Sequence, residues 1–312
     1  MKIVFFGTSP FGLPALEAIL KSNHTLCAVI TTPDKPKGRN LKLSFSPVKE
    51  WALSKQIIPL EVSAKNIRSL EDDLKNIKAD VFVVISFGII LPKTILEIPK
   101  ITALNVHSSL LPRYRGPAPI HWALLNGDSQ TGVTVMRITE TLDAGDILLQ
   151  RSTEISAQED EEALHARLSQ IGSDAILSAL TLLEKNKASF TPQDDKLVTY
   201  ARKISKEDGH LRWEEPVKAI HNRVRALSGW PGTFTFFNGK RIIFLKASLA
   251  PEVTACSAPP GHILKASMKE GIVVAARDGA LRVERLQLEG RKPLEAAQFL
   301  QGFPLKAGDI LE

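Results

Sequence analysis

The sequence predicts an α/β fold, a doubly wound and mainly parallel sheet followed by a small C-terminal β-barrel. Three observations point there. Over residues 1–189, apolar β-rich runs alternate with amphipathic stretches of helical length, the pattern of strands joined by crossover helices. After residue 189 the texture turns polar, and 190–207 (FTPQDDKLVTYARKISKE) has no long apolar run and reads as a linker. From 208 to 312, short β-type runs follow one another with turn signals between them, as in a small barrel.

Each element follows from its own residues. KIVFFG (2–7) is apolar almost throughout, as a strand buried on both faces must be, and ends in Gly. A helix follows at 13–21, then a strand at 26–32 (LCAVITT). Residues 46–55 form a helix, 57–62 a short strand and 65–77 a charged helix. ADVFVVISF (79–87) is the strongest buried strand, and TALNVH (102–107) a shorter one before a helix near 119–126. Strands at 132–138 and 147–151 complete the sheet, and 159–186 is a long amphipathic helix. In the second part a helix at 214–227 precedes GTFTFFNGKRIIFLKA, whose Asn238–Gly239 marks a tight hairpin. GHILKA, GIVVAA and ALRVERLQLEG supply the remaining strands.

With 312 residues, the chain has room for two domains and a sizeable core. The opening MKIVFFGTSPFG has one Lys and too short an apolar run for a secretory signal, and no stretch approaches the length of a membrane span. A cytoplasmic protein with no membrane partner is expected. Cys27 and Cys256 stand far apart, without metal-ligand spacing, and are expected as reduced, buried thiols. Net charge is +6, unevenly spread: residues 1–189 carry 21 basic against 20 acidic residues, and 190–312 carry 19 against 14. The excess on the second part suits either a polyanionic partner or a merely basic soluble domain.

Four stretches carry candidate chemistry. GTSPFG (7–12) sits where a phosphate-binding turn would, but lacks the G-x-G-x-x-G spacing, so a dinucleotide site is not expected. Asn105 and His107 stand two apart on a strand and share a face, at the edge where open α/β sheets bind ligands. An amide donor beside an imidazole can stabilise an oxyanion or move a proton. The alternative is a satisfied pair of buried polar residues. Asp143, in LDAGDI (142–147), lies in a turn past the neighbouring strand, where a carboxylate could orient the imidazole. It could instead only cap its turn. No Ser or Cys is placed as a nucleophile. TTPDKPKGRNLKLSFS (31–46) is a basic loop with Lys35, Lys37, Arg39 and Lys42, kept open and irregular by its Pro and Gly residues. It is either an arm that reaches phosphates or a solvated surface loop.

Together these pieces resemble the methionyl-tRNA formyltransferase family along essentially the whole chain. NVHSSLLPRYRG and LDAGDI are similar to the hallmark of folate-dependent formyltransferases. The basic loop, SFGIILP, TYARKISKEDGHLRW and RVRALSGWPGTF are similar to features particular to the tRNA enzyme. Departures fall at Asn40 and Leu41, where the family often has Gly and Lys, at Phe45, where it often has Pro, and at Ala144 for the commoner Thr. The resemblance implies that 1–189 is the formyltransferase domain and 208–312 the tRNA-binding barrel. It implies Asn105, His107 and Asp143 as the catalytic three. The cosubstrate 10-formyltetrahydrofolate would lie against Ser86, Phe87, Gly88, Ile89 and Ile90 on one loop, and Ser109, Leu110, Leu111 and Pro112 on another. Initiator methionyl-tRNA would meet Lys35, Lys37, Arg39 and Lys42, and further along Arg202, Lys203 and Lys206. No metal and no obligate protein partner are implied. A formyltransferase acting on a free ribonucleotide or nucleotide sugar would share the three residues without needing the basic loop and barrel.

Overall fold

The computed structural model describes residues 1–37, 42–253 and 258–312, with 35–37 and 42 described by their backbone. In chain order the first part holds β1 (Lys2–Gly7), α1 (Leu13–Lys21), β2 (Thr25–Thr31), β3 (Lys35–Lys37), β4 (Lys42–Ser44), α2 (Pro47–Ser54), β5 (Leu60–Glu61), α3 (Glu71–Ile77), β6 (Val81–Ile85), α4 (Lys93–Leu96), β7 (Thr102–His107), α5 (Pro119–Leu125), β8 (Gln130–Arg137), β9 (Ile147–Glu154) and α6 (Glu161–Glu184). The later part holds α7 (Val217–Ala226), β10 (Thr233–Phe237), β11 (Lys240–Leu249), β12 (Ile263–Ser267), β13 (Gly271–Ala276), β14 (Gly279–Leu288), β15 (Leu294–Glu295) and α8 (Ala296–Gly302).

Seven strands form the first sheet in the order β5-β2-β1-β6-β7-β8-β9. From β5 to β7 every pairing is parallel, and β8 runs antiparallel to β7. Both faces are covered. Val4, Phe6, Phe82, Val84 and Ala103 pack with Leu70 and Leu74 around α3 and Ile95 of α4. On the opposite face α6 comes so close that a Cβ added at Gly172 would lie 3.1 Å from Val106. A strand covered on both faces cannot alternate, which is why the sequence of β6 is apolar throughout.

Several local expectations shift. The helix expected at 65–77 is a 3-10 turn at Ile67–Leu70 followed by α3, and the strand expected at 57–62 shrinks to Leu60–Glu61. The loop at 31–46 is not wholly irregular: β3 and β4 pair as an antiparallel ribbon, with Lys35 opposite Ser44. Its base is fixed by ordinary chemistry. Thr31 and Ser46 share a buried hydroxyl hydrogen bond of 2.8 Å, and the Lys49 ammonium spans Asp34 at 2.9 Å and Glu61 at 2.7 Å. Ser46 also caps α2 by accepting from the Lys49 N–H, with Pro47 at the first helical position. Cys27 is a half-buried free thiol, and Cys256 lies outside the described residues.

Residues from 208 onward build a six-stranded antiparallel sheet, β10-β11-β14-β13-β12 with β15 on β14. Asn238 and Gly239 join β10 to β11, with φ of 49° and 70°, the two left-handed positions that this hairpin demands. Ile220 and Val224 of α7, Phe244, Leu281, Val283 and Phe299 form its core.

The chain divides into two compact units. Met1–Gly116, Thr131–Thr153 and His165–Ala201 form one, and Pro117–Gln130, Glu154–Leu164 and Arg202–Glu312 the other. Two internal excursions therefore belong with the C-terminal sheet. The reason is packing within that second unit: α5 lies on α7, and the buried Arg225 guanidinium donates to the carbonyls of Ser156 and Glu159 at 3.3 and 3.1 Å. Within the first unit, the segment expected as linker is tied down. Thr191 and Ile147 exchange two backbone hydrogen bonds, and Arg115 bridges Thr199 and Ala201 in the same way. Among the described residues no helix is long and apolar enough to cross a membrane.

Candidate active site

β7 itself, the loops after β6 and β7 and the turn between β8 and β9 supply the candidate residues. Because β8 is antiparallel to β7, that turn leaves the sheet beside the start of β7, where the Ile138 N–H donates to the Ala103 carbonyl, and folds back until Asp143 lies against His107. Asn105 faces the same side of β7 as His107, since side chains alternate along a strand. Register places Asn105 between Val84 and Met136, and His107 opposite Thr134. Asn105 is half-buried, and its amide makes no hydrogen bond among the described residues. His107 is buried, with Nε2 2.9 Å from the Tyr114 carbonyl and Nδ1 3.7 Å from Asp143 Oδ2. A carbonyl can only accept, so Nε2 carries a hydrogen. Nδ1 then looks towards a carboxylate across a gap too long for a hydrogen bond. Any donation by His107 to a reacting group must come from Nδ1.

Asp143 does not cap its own turn. Its Oδ2 accepts from the Gly116 N–H at 2.8 Å, and Oδ1 has no partner among the described residues. Its backbone sits at φ 53°, a left-handed conformation that a non-glycine residue rarely adopts. Ser86, directly after β6, and Tyr114, in the loop after β7, share that property at φ 48° and 63°. Such residues persist only where their surroundings over-determine them, and they collect at functional sites. The Asp143 turn is crowded as well: a Cβ at Gly145 would overlap the Arg137 carbonyl, so glycine is required there.

The loop after β7 is held from beneath. Thr134 is fully buried, and its hydroxyl donates to the Ser109 carbonyl at 2.7 Å while accepting from the Leu111 N–H at 3.0 Å. Gln150 Nε2 reaches both that hydroxyl and the Leu111 carbonyl at 2.9 Å. Ser109 is itself buried, and its hydroxyl donates to the Arg113 carbonyl at 2.6 Å. Of the four residues expected against folate on this loop, Ser109 and Leu111 thus point into the loop's own support, while Leu110 and Pro112 stay half-exposed. On the β6 loop, Ser86, Gly88 and Ile90 are exposed and Ile89 half-exposed. Phe87 is buried against Phe6, and its carbonyl accepts from Thr8.

The basic residues expected against tRNA fall into three groups. Arg39 and the side chains of Lys35, Lys37 and Lys42 lie outside the described residues. Lys203 and Lys206 are exposed. Arg202 is already engaged: it forms a two-pronged ion pair with Asp208, at 2.6 and 2.8 Å, and stacks over Trp122. That pairing holds the Asp208 carboxyl well below the usual range. Sequence reading missed Arg115, Thr134, Gln150 and Gln193. Each acts through contacts between residues far apart in the chain, and local pattern carries no signal of that. Among the described residues no cluster of three His, Cys, Asp or Glu could hold a metal ion.

The chain matches the family described as "Formyl transferase" over residues 1–180, and "Formyl transferase, C-terminal domain" over 203–304. It is 44% identical to the methionyl-tRNA formyltransferase of Syntrophus aciditrophicus, covering 100% of this chain and 99% of that one. To the methionyl-tRNA formyltransferase of Geobacter sulfurreducens it is 41% identical, over 100% and 96% of the two chains. Among solved structures, WlaRD, a sugar 3N-formyl transferase crystallised with dTDP and 5-N-formyl-THF, matches with a TM-score of 0.67 at 20% identity, covering 94% of this chain and 99% of that one. HypX from Aquifex aeolicus, in complex with tetrahydrofolic acid, matches with a TM-score of 0.66 at 19% identity, over 100% of this chain and 50% of that one. At such identities the structural matches speak to the fold.

Proposed function

This chain belongs to the methionyl-tRNA formyltransferase family, and from that premise we propose which of its residues move a formyl group from 10-formyltetrahydrofolate to the α-amine of methionine on initiator tRNA. It is a one-carbon-group transferase of protein synthesis, with a folate cosubstrate and a tRNA substrate.

The sheet edge suits the cosubstrate. Asn105 is a half-buried amide without a partner among the described residues, and the loops after β6 and β7 carry the exposed Ser86, Gly88 and Ile90 and the half-exposed Leu110 and Pro112. Once bound, 10-formyltetrahydrofolate supplies an electrophilic formyl carbon. The amine forms its bond to that carbon, the bond from the carbon to the folate nitrogen breaks as that nitrogen takes up a proton, and one amine proton leaves.

The chain's own groups handle the charge and the proton. Asn105 donates an amide N–H to the formyl oxygen as it gains negative charge; such a donor is worth about 3–4 kcal/mol in a transition state. His107 presents Nδ1 to the same oxygen, its ring fixed by the Tyr114 carbonyl on Nε2. Nε2 faces the Tyr114 carbonyl and Nδ1 faces the Asp143 carboxylate. Asp143, anchored through Oδ2 by the Gly116 N–H, offers Oδ1 to the amine and takes its proton directly or through a water. No covalent enzyme intermediate is required.

Residues 208–312, with Lys203 and Lys206 before them, and the β3–β4 pair are proposed to hold the tRNA by its phosphates. Action in the cytoplasm without an obligate protein partner completes the reading. The observation that carries the assignment of the site is the Asn105 amide, without a partner among the described residues, beside a His107 whose Nδ1 faces Asp143 at 3.7 Å. Formylation of methionyl initiator tRNA, followed as released tetrahydrofolate, tests it. Asn105→Ala and His107→Ala should lower kcat by about 100-fold or more each while tRNA affinity stays near that of the parent. Full turnover in either variant would sink the assignment.

A further inference from the structure

Gln193 lies in the segment that the sequence presents as a linker, 50 residues beyond Asp143. Its amide is used completely. Nε2 donates to the carbonyls of Asp143 and Gly145, both at 2.8 Å, and Oε1 accepts from Arg115 Nε at 3.0 Å and Nη2 at 2.8 Å. The orientation is unambiguous: two carbonyls require the NH2 end, and a guanidinium requires the oxygen.

Arg115 in turn stands between two residues that touch the reacting groups. Tyr114, before it, accepts from His107 Nε2 through its carbonyl, and Gly116, after it, donates its N–H to Asp143 Oδ2. The Arg115 side chain is buried apart from a 3.3 Å contact with Asp195, itself a largely exposed carboxylate. Gln193 therefore closes a ring that runs from His107 through Tyr114 and Arg115 to the Asp143 turn. Its own place is fixed by the paired backbone of Thr191 and Ile147 two residues earlier.

We propose that Gln193 is a positioning residue for formyl transfer: it holds the Asp143 turn and the Arg115 segment in one register, and so sets the separation of the His107 imidazole and the Asp143 carboxylate. This rests on the reading of Asn105, His107 and Asp143 as the reacting groups. Alternatives at position 193 do not reproduce the clamp. Methionine fills the same volume with neither end of the amide. Glutamate keeps the acceptor for Arg115 but turns an oxygen towards two carbonyls that need donors. Asparagine is one methylene short.

Steady-state formylation by Gln193→Met and Gln193→Glu, with thermal unfolding of each variant, decides the matter. Asn105→Ala is measured alongside. In both Gln193 variants kcat should fall about 10- to 100-fold, with KM for the folate and for the tRNA within about twofold of the parent, because misplaced rather than missing groups are the cause. Gln193→Glu should be no better than Gln193→Met, since the donors to the turn are what matter. Parental kcat in folded Gln193→Glu overturns the proposal. So does a fall shared by KM and kcat alike, or loss of the fold in both variants, which would make the residue merely structural. If instead Asn105→Ala keeps full turnover, the assignment of the reacting groups fails, whatever Gln193 does.

Discussion

Removing one buried oxygen should loosen the whole loop after β7. Thr134→Val keeps the side-chain shape and deletes the hydroxyl that Ser109, Leu111 and Gln150 share. Gln150 retains the Leu111 carbonyl, so its loss is partial. The Leu111 N–H and the Ser109 carbonyl, both buried, are left without that partner. At about 1–2 kcal/mol for each stranded buried group, with little offset from an isosteric methyl, the change should cost about 2–4 kcal/mol. Urea unfolding reads it as a lower midpoint at unchanged slope in the transition of the first unit. A second readout is the folate: Leu110 and Pro112 are carried by the same loop, so KM for 10-formyltetrahydrofolate should rise while KM for tRNA holds. A loss under about 0.5 kcal/mol together with an unaltered folate KM would refute the argument, because it would mean that water or another donor replaces the hydroxyl without cost.

Two further outcomes can be checked. His24, His165 and His221 all take up protons less readily than an ordinary histidine, first because they are buried; for His221 the Arg225 charge adds to this, against the Ala247 carbonyl and Glu284, which act the other way. The unfolded chain binds these protons from the ordinary value of 6.5 downward and the folded protein does not, so stability is complete above pH 6.5 and falls below it. The Tm should decline between about pH 7 and 5.5, and less steeply in His221→Gln; a Tm that rises over that window contradicts the assignment. Separately, Lys203→Glu with Lys206→Glu should raise KM for tRNA and flatten its dependence on salt, leaving the folate KM alone, because phosphate contacts release counterions. An unchanged salt slope would remove these two lysines from the interface.

Strand and helix types along the first 189 residues were legible because both faces of a parallel sheet are covered and its strands must be apolar throughout. The Asn238–Gly239 hairpin was equally plain, since few dipeptides accept two left-handed positions. The pairing of β3 with β4 was not legible: the strands are three residues each, too short for a periodic signal, and they contain proline and several lysines. The two ends of the loop meet through Thr31, Ser46 and Lys49, contacts that span 15 residues at least.

By itself the sequence determined that Asn105 and His107 share one face at a strand end, because alternation along a strand is local geometry. It also determined that an acid lies in a glycine-bearing turn past the next strand. Tertiary structure alone decided what these groups can do. It occupied His107 Nε2 with a backbone carbonyl, left the Asn105 amide and Asp143 Oδ1 without partners among the described residues, and turned Asp143 away from capping. It also brought Gln193 out of an apparent linker to grip the Asp143 turn. Periodicity reports which side of an element is apolar; hydrogen bonds between residues 50 or 80 positions apart depend on how the chain closes on itself, and no window of sequence contains both partners.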